Sequence, residues 1–318
     1  MLAGWASYRS ICGVVDGNLG FKGGIGTDKQ RSVVKVWKSQ PTLEGAGVRL
    51  KRAFGFYEVK ELDPFLLLDD FHSKNPDDYI AGFPWHPHRG IETITYMLSG
   101  KVAHRDSLGN SGVIGPGDIQ WMTAGSGIIH EEMPQRTEGM LAGFQLWANL
   151  PASHKMMPPR YRGIKSRDIP EVTLDGGTKV RVICGKVDGT VGPVTEIVTD
   201  PEYLDVTVPT KAHFVHTIKS GYTAFAHIVD GRGYFDTDRS RSLEPETTVL
   251  FTDGTSVEVQ AAGRPLRFLL VSGKPLKEPV AWRGPIVMNT EKELALAFEE
   301  YRNGTFLTKG ISLSGPEP

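Results

Sequence analysis

From residue 33 onward, short apolar or alternating runs recur between turn residues: VVKVW, FLLLDDF, TITYML, VIGPGDIQWM and GFQLWANL. Successive side chains of an extended chain point to opposite faces, so runs of about five to eight residues bounded by Gly and Pro read as strands of a sandwich or barrel. A second series follows the proline-rich stretch MMPPRYRGIKSRDIP: KVRVICG, TEIVT, YLDVTV, TAFAHIVDG, RGYF, TTVLF, SVEVQ and LRFLLVSG. The linker between the series falls near residues 155–175. Leu294, Ala297, Phe298 and Tyr301 stand at helical spacing, which predicts one helix over 291–301 with Thr290 as its N-cap. Residues 1 to about 30 hold seven glycines and no sustained periodicity, which predicts a flexible leader outside the folded body.

The two series resemble diverged copies of one plan. HPHRGIETITYMLSGKV in the first has a counterpart in HTIKSGYTAFAHIVDGRGYF in the second, and GPGDIQWMT and PETTVLFTDGTSVEV occupy matching places downstream. Length agrees: 318 residues, at roughly 100 to 200 per domain, favours two domains. With 37 Gly and 21 Pro the chain is too rich in turn formers to be mostly long helix. Thirty-six basic against 37 acidic residues leave a net charge of -1, and the densest basic stretch, 49–52, is short. That balance offers no electrostatic footprint for nucleic acid or an anionic membrane. Cys12 and Cys184 are too few for a disulfide framework and are expected as free thiols in a reducing compartment. No apolar run reaches the length of a membrane span, and the first twenty residues lack a signal-peptide core. A cytoplasmic protein is expected.

The chemistry concentrates in the first series. His86 and His88 are two apart, so on an extended strand both imidazoles face the same way and can grip one ion. The alternative is a pair of surface or hydrogen-bonded histidines. Roughly forty residues further on, His130 and Glu132 again share one strand face, while Glu131 points away. Strands distant in sequence but adjacent in a barrel would bring three imidazoles and one carboxylate to one point, a mononuclear metal site. Glu92 is the competing carboxylate. At about 3.3 Å per residue it stands roughly 13 Å beyond His88 along a straight strand, unless Gly90 bends the chain, so Glu132 is preferred and Glu92 is read as a supporting or structural residue. In the second series His213 and His216 are three apart and cannot share a straight face, so no second site is expected. His72, His104, His154 and His227 are read as surface or hydrogen-bonded residues.

The strings HPHRGIET, GPGDIQWMTAG, GIIHEEMP and GPIVMNT resemble the motifs of the pirin family within the cupin superfamily, from about residue 33 to 305. The resemblance implies an all-β bicupin; with the leader and linker read above, the chain divides into a leader at 1–32, a metal-binding cupin barrel at 33–165, a metal-free cupin barrel at 166–285, and a helix and tail at 286–318. It maps the ligands onto His86, His88, His130 and Glu132. It also implies iron, most simply Fe(II). Imidazole and carboxylate donors suit Ni, Co, Mn or Cu as well.

The activity ascribed to several pirins is that of a quercetin 2,3-dioxygenase. In that chemistry the flavonol 3-hydroxyl loses its proton to Glu132, and O2 then cleaves the ring with loss of carbon monoxide. Trp121, Met122, Phe144 and Gln145 could form the substrate mouth or belong to ordinary barrel core. The other reading is a non-catalytic, redox-sensitive iron protein that binds a protein partner as a transcriptional co-regulator. The absence of a nuclear targeting run weighs against it. Two barrels in one chain fit a monomer.

Overall fold

The structure is a computed structural model and describes residues 29–307, so Cys12 and most of the expected leader lie outside the described residues. The chain folds into two antiparallel β-barrels, each a seven-stranded sheet closed by a smaller one. In the first, the large sheet runs in the order Arg160–Ile164, Ile119–Thr123, Ile91–Ser99, Ala142–Asn149, Phe65–Asp70, Val48–Phe54 and Gln40–Glu44. Its small sheet runs Phe83–His88, Ile128–Pro134, Val102–Asp106 and Ser111–Ile114. In the second, the large sheet runs Val33–Lys38, Thr247–Phe251, Thr223–Asp230, Leu266–Gly273, Glu202–Val208, Lys179–Cys184 and Glu171–Thr173. Three short strands, His213–Thr217, Ser256–Ala261 and Gly233–Tyr234, close it.

The faint repeat in the sequence is a repeat in topology. Leaving out one edge strand of each large sheet, Arg160–Ile164 in the first and Val33–Lys38 in the second, the other six, numbered in chain order, lie in the same order, 5-4-6-3-2-1. The outermost strand is exchanged. Val33–Lys38 pairs with Thr247–Phe251, so the first expected strand of the 33–165 barrel covers the edge of the second barrel. Gln30 and Arg31, placed in the leader by the sequence, belong there too: Gln30 bridges Ser256, and the buried Arg31 guanidinium donates to the carbonyls of Tyr222, Thr252 and Lys219. An exchanged edge strand leaves fewer unpaired backbone groups and ties the barrels together.

The large sheets pack face to face. On Ile91–Ser99, Ile94 and Tyr96 point into a shared core with Phe54, Trp121 and Phe144 from the first barrel and Phe225 and Leu269 from the second. Tyr96 donates to Asp205 across this interface at 2.6 Å, and Arg267 holds the same carboxylate through two bonds. The odd positions of that strand look the other way: Thr95 reaches Glu132 and Met97 packs inside the first barrel.

The helix forms over Glu291–Arg302, with Thr290 and Glu293 capping one another reciprocally. It packs on the first barrel side, where Leu294, Ala297 and Phe306 meet Ile286 and Ile129. The run TEIVT forms no strand. It follows Gly192–Pro193, and Glu196 and Asp200 take positive φ, which breaks an extended path. Among the described residues no helix is long and apolar enough to cross a membrane.

Candidate metal centre

His86 and His88 stand on Phe83–His88, an edge strand that also contains Pro84 and Pro87; an edge tolerates prolines because their missing N–H faces no ladder partner. The strand pairs with Ile128–Pro134 so that His130 lies opposite His86. The ring centroids are 4.3 Å apart for His86 and His130, 4.8 Å for His86 and His88, and 5.0 Å for His88 and His130. One nitrogen from each falls within 4.8 Å of the others, a group that could hold a metal ion.

The hydrogen bonds fix which nitrogens carry protons. His86 Nδ1–H donates to the Pro84 carbonyl at 2.8 Å, and His88 Nδ1–H to the Pro285 carbonyl at 3.0 Å, since a carbonyl only accepts. Both Nε2 atoms therefore present lone pairs, and they lie 3.1 Å apart. Two facing lone pairs repel unless a cation sits between them. Adjacent ligands about 2.1 Å from one octahedral ion stand roughly 3.0 Å apart, close to the observed separation. His130 is fully buried, and neither of its ring nitrogens has a hydrogen-bond partner. Burial, reinforced by the neighbouring imidazoles, holds His88 and His130 well below the usual imidazole range, and burial lowers His86 to about 4. All three are neutral donors at pH 7, the form a divalent first-row metal needs. The residues present fit such an ion.

Glu132 lies beside this cluster. A register shift separates it from His130, and its carboxylate accepts from Thr95 Oγ1 at 3.0 Å while lining the same cleft as His86 and His88. Burial raises its pKa, opposed by His104, Thr95 and Gln145. Glu131 points to the other face, toward Arg105, as parity required. Glu92 is on a different strand from His88, beyond the Gly90 turn with φ +78°. It faces away from the cluster, accepts from Thr123 Oγ1 at 2.7 Å, and lies in the field of Arg160 and Arg162.

The cleft over the imidazoles has a volume of about 820 Å³ including its open mouth. Phe56, Phe83, Trp147 and Trp282 supply apolar walls, and Arg52, held by Asp69 through two 2.8 Å bonds, forms a polar rim. Of the expected mouth residues only Gln145 lines it. Trp121 and Phe144 point between the barrels, and Met122 packs with Ile91 and Val287.

His104, read as bland, is buried 5.5 Å from His130, stacked on Tyr161 and bonded to Asp106 at 3.0 Å. The signal was present in the same two-residue spacing, His104 and Asp106. His72 and His227 flank Asp70, and the half-buried His154 bonds Ser153. In the second barrel His213 is exposed, and His216 bonds Glu202 at 2.8 Å. Phe214, Val257 and Val259 fill the interior where the first barrel has imidazoles. Among the described residues, the one cluster of metal-competent side chains is that of the first barrel.

Known proteins share both halves. The Pirin family model matches residues 47–148, and that of the Pirin C-terminal cupin domain matches residues 203–307. A pirin-like protein of Caulobacter vibrioides is 44% identical over 277 residues, covering 87% of this chain and 99% of its own length. Pirin of Homo sapiens is 42% identical over 268 residues, covering 83% of this chain and 90% of its own. A crystal structure of quercetin 2,3-dioxygenase from Acinetobacter baumannii superposes with a TM-score of 0.80 at 30% identity, covering 87% of this chain and 99% of that one. With both cupin barrels matched and a cluster of imidazoles in the first, the chain belongs to the pirin family.

Proposed function

We propose that this pirin is a metal-dependent dioxygenase that cleaves flavonols such as quercetin with O2, using an ion held by His86, His88, His130 and Glu132. The observation that carries this reading is the convergence of three neutral imidazoles, two of which, His86 and His88, line an aromatic-walled cleft while His130 is buried behind them. The ion, with Fe(II) the first candidate, supplies Lewis acidity toward a phenol oxygen and the one-electron chemistry that makes O2 reactive. The chain does the rest. Phe56, Trp147 and Trp282 offer flat faces to a planar aromatic, with the Trp147 and Trp282 rings 5.9 Å apart, and the apolar walls keep bulk water out.

Glu132 takes the proton of the substrate 3-hydroxyl at its carboxylate. Burial raises its basicity, and the Thr95 hydroxyl keeps it oriented. Both atoms of O2 enter the ester product, and the ring carbon that bore the hydroxyl leaves as carbon monoxide. The A. baumannii relative, described as a quercetin 2,3-dioxygenase, supports the substrate class. Iron-loaded protein incubated with quercetin in an oxygen electrode should consume O2 and release equimolar carbon monoxide. A protein that holds its metal and consumes no O2 over a panel of flavonols would refute the catalytic reading and favour a non-catalytic, partner-binding one.

A further inference from the structure

We propose that the segment 281–306, which follows the second barrel in sequence, is a positioning element of the first barrel's metal site. This inference rests on the reading that the three imidazoles hold a metal ion. The second barrel's last strand ends at Gly273, yet the chain then returns to the first barrel and touches its site at several points. The Pro285 carbonyl accepts a hydrogen bond from His88 Nδ1–H at 3.0 Å, which fixes the ring's tautomer and aims Nε2 at His86. Gly284 and Trp282 line the cleft, and Trp282 packs on Trp147 and Phe56.

The contact continues beyond the ligand. Val287 N donates to the Arg89 carbonyl at 3.1 Å, and Lys155 Nζ joins the carbonyls of Val287 and Gly90 to Asn149 with bonds of 2.7 to 3.0 Å. Gly90 has no room for a side chain there, because a Cβ would stand 2.0 Å from the Val287 oxygen. Arg89, adjacent to His88, clamps the far end: its buried guanidinium donates to Glu300 at 2.5 Å and to the Phe306 carbonyl at 2.8 Å, and lies 4.2 Å from the Phe306 ring centre. The clamp and the Pro285 carbonyl therefore hold two consecutive residues, Arg89 and His88 at the end of its strand, from one returning segment. Loosening the clamp frees the acceptor that orients His88.

The test loads the whole protein with Ni(II) and times its loss to excess EDTA. Partners that orient metal-binding histidines typically account for about 10- to 100-fold in affinity. Glu300→Ala and Phe306→Ala should release Ni(II) at least about tenfold faster than wild type, while Glu300→Gln, which keeps an acceptor for Arg89, falls between. Leu296→Ala, on the exposed face of the same helix, should match wild type. In the Zn(II)-loaded protein the His88 Nδ1 proton should give a slowly exchanging NMR signal that broadens in Glu300→Ala, a change that lost stability alone would not produce. Should Phe306→Ala fail to fold, Glu300→Ala, whose side chain is partly exposed, decides the matter. Unchanged release and an unchanged His88 signal in a folded Glu300→Ala would overturn the coupling. A wild-type protein that takes up no Ni(II) would instead overturn the metal reading on which it stands.

Discussion

Replacing Glu132 by Gln should strengthen the metal-free fold while weakening the metal-loaded one. Glu132 is 3% exposed, and compensation for its charge is incomplete: Thr95 Oγ1 donates to it at 3.0 Å, Gln145 stands beside it, and His104 acts on it only through its field. Burial raises its pKa, so the folded state binds the carboxyl proton more tightly than the unfolded chain does. The stability this proton confers is complete below about pH 4.3, the unfolded value, and is lost as pH rises through the folded value. Burying a polar or charged group with incomplete compensation costs about 1–3 kcal/mol in proteins, so metal-free Glu132→Gln should exceed wild type by that amount at pH 8 and by little at pH 4. Denaturant unfolding of both proteins with EDTA, at the two pH values, measures the difference. With metal present the order reverses, because Gln offers a neutral oxygen where the ion met a charged one. Ni(II) affinity should fall at least tenfold, about 1.4 kcal/mol, and flavonol turnover per bound metal by about 10²- to 10⁴-fold. A metal-free variant less stable than wild type at pH 8, or one turning over flavonol at the wild-type rate per metal, would refute the assignment.

Gly90→Ala should destabilise by at least about 2 kcal/mol, seen in the denaturant midpoint, because φ is +78° and the new Cβ would meet the Val287 oxygen at 2.0 Å. Cys184 is buried and its thiol is pushed up to about 12, so in a Cys12→Ser protein no thiol should react with Ellman's reagent at pH 8 until denaturant is added. Metal retention should persist well below pH 6.5, where exposed imidazoles protonate, since His86 is held at about 4 and His88 and His130 lie well below their usual value. Ni(II) content after dialysis across pH 4 to 8 checks this, and half-loss near 6.5 would contradict it.

Period-two patterning was enough to locate most strands and to put His86 and His88 on one strand face, because side-chain parity is a local property. Two similar β-barrels were legible through matching runs in the two halves, and the resemblance to the pirin family implied that both are cupins. What the sequence hid depends on which strand pairs with which. Val33–Lys38 reads like any half-buried strand, and nothing in its composition says that its partner lies in the second barrel. Glu92 was weighed by counting from His88 along a single strand, whereas the Gly90 turn starts a new one whose even positions face the other barrel. Trp121 and Phe144 failed as cleft residues through that same geometry: both barrels need an apolar outer face, so a large apolar residue near the ligands in sequence can point away from them. Trp282 and Pro285 were invisible at this level, since they reach the site only through the chain's return from the second barrel.

The central claim is that His86, His88 and His130 hold one ion, and anomalous diffraction from crystals grown with Fe(II) or Ni(II) tests it most directly. A single peak per chain is expected, about 2.0–2.3 Å from one nitrogen of each imidazole, that disappears in His130→Ala and persists in His216→Ala. A peak elsewhere, or none beside the three rings in a crystal whose protein binds one equivalent of metal in solution, would contradict it.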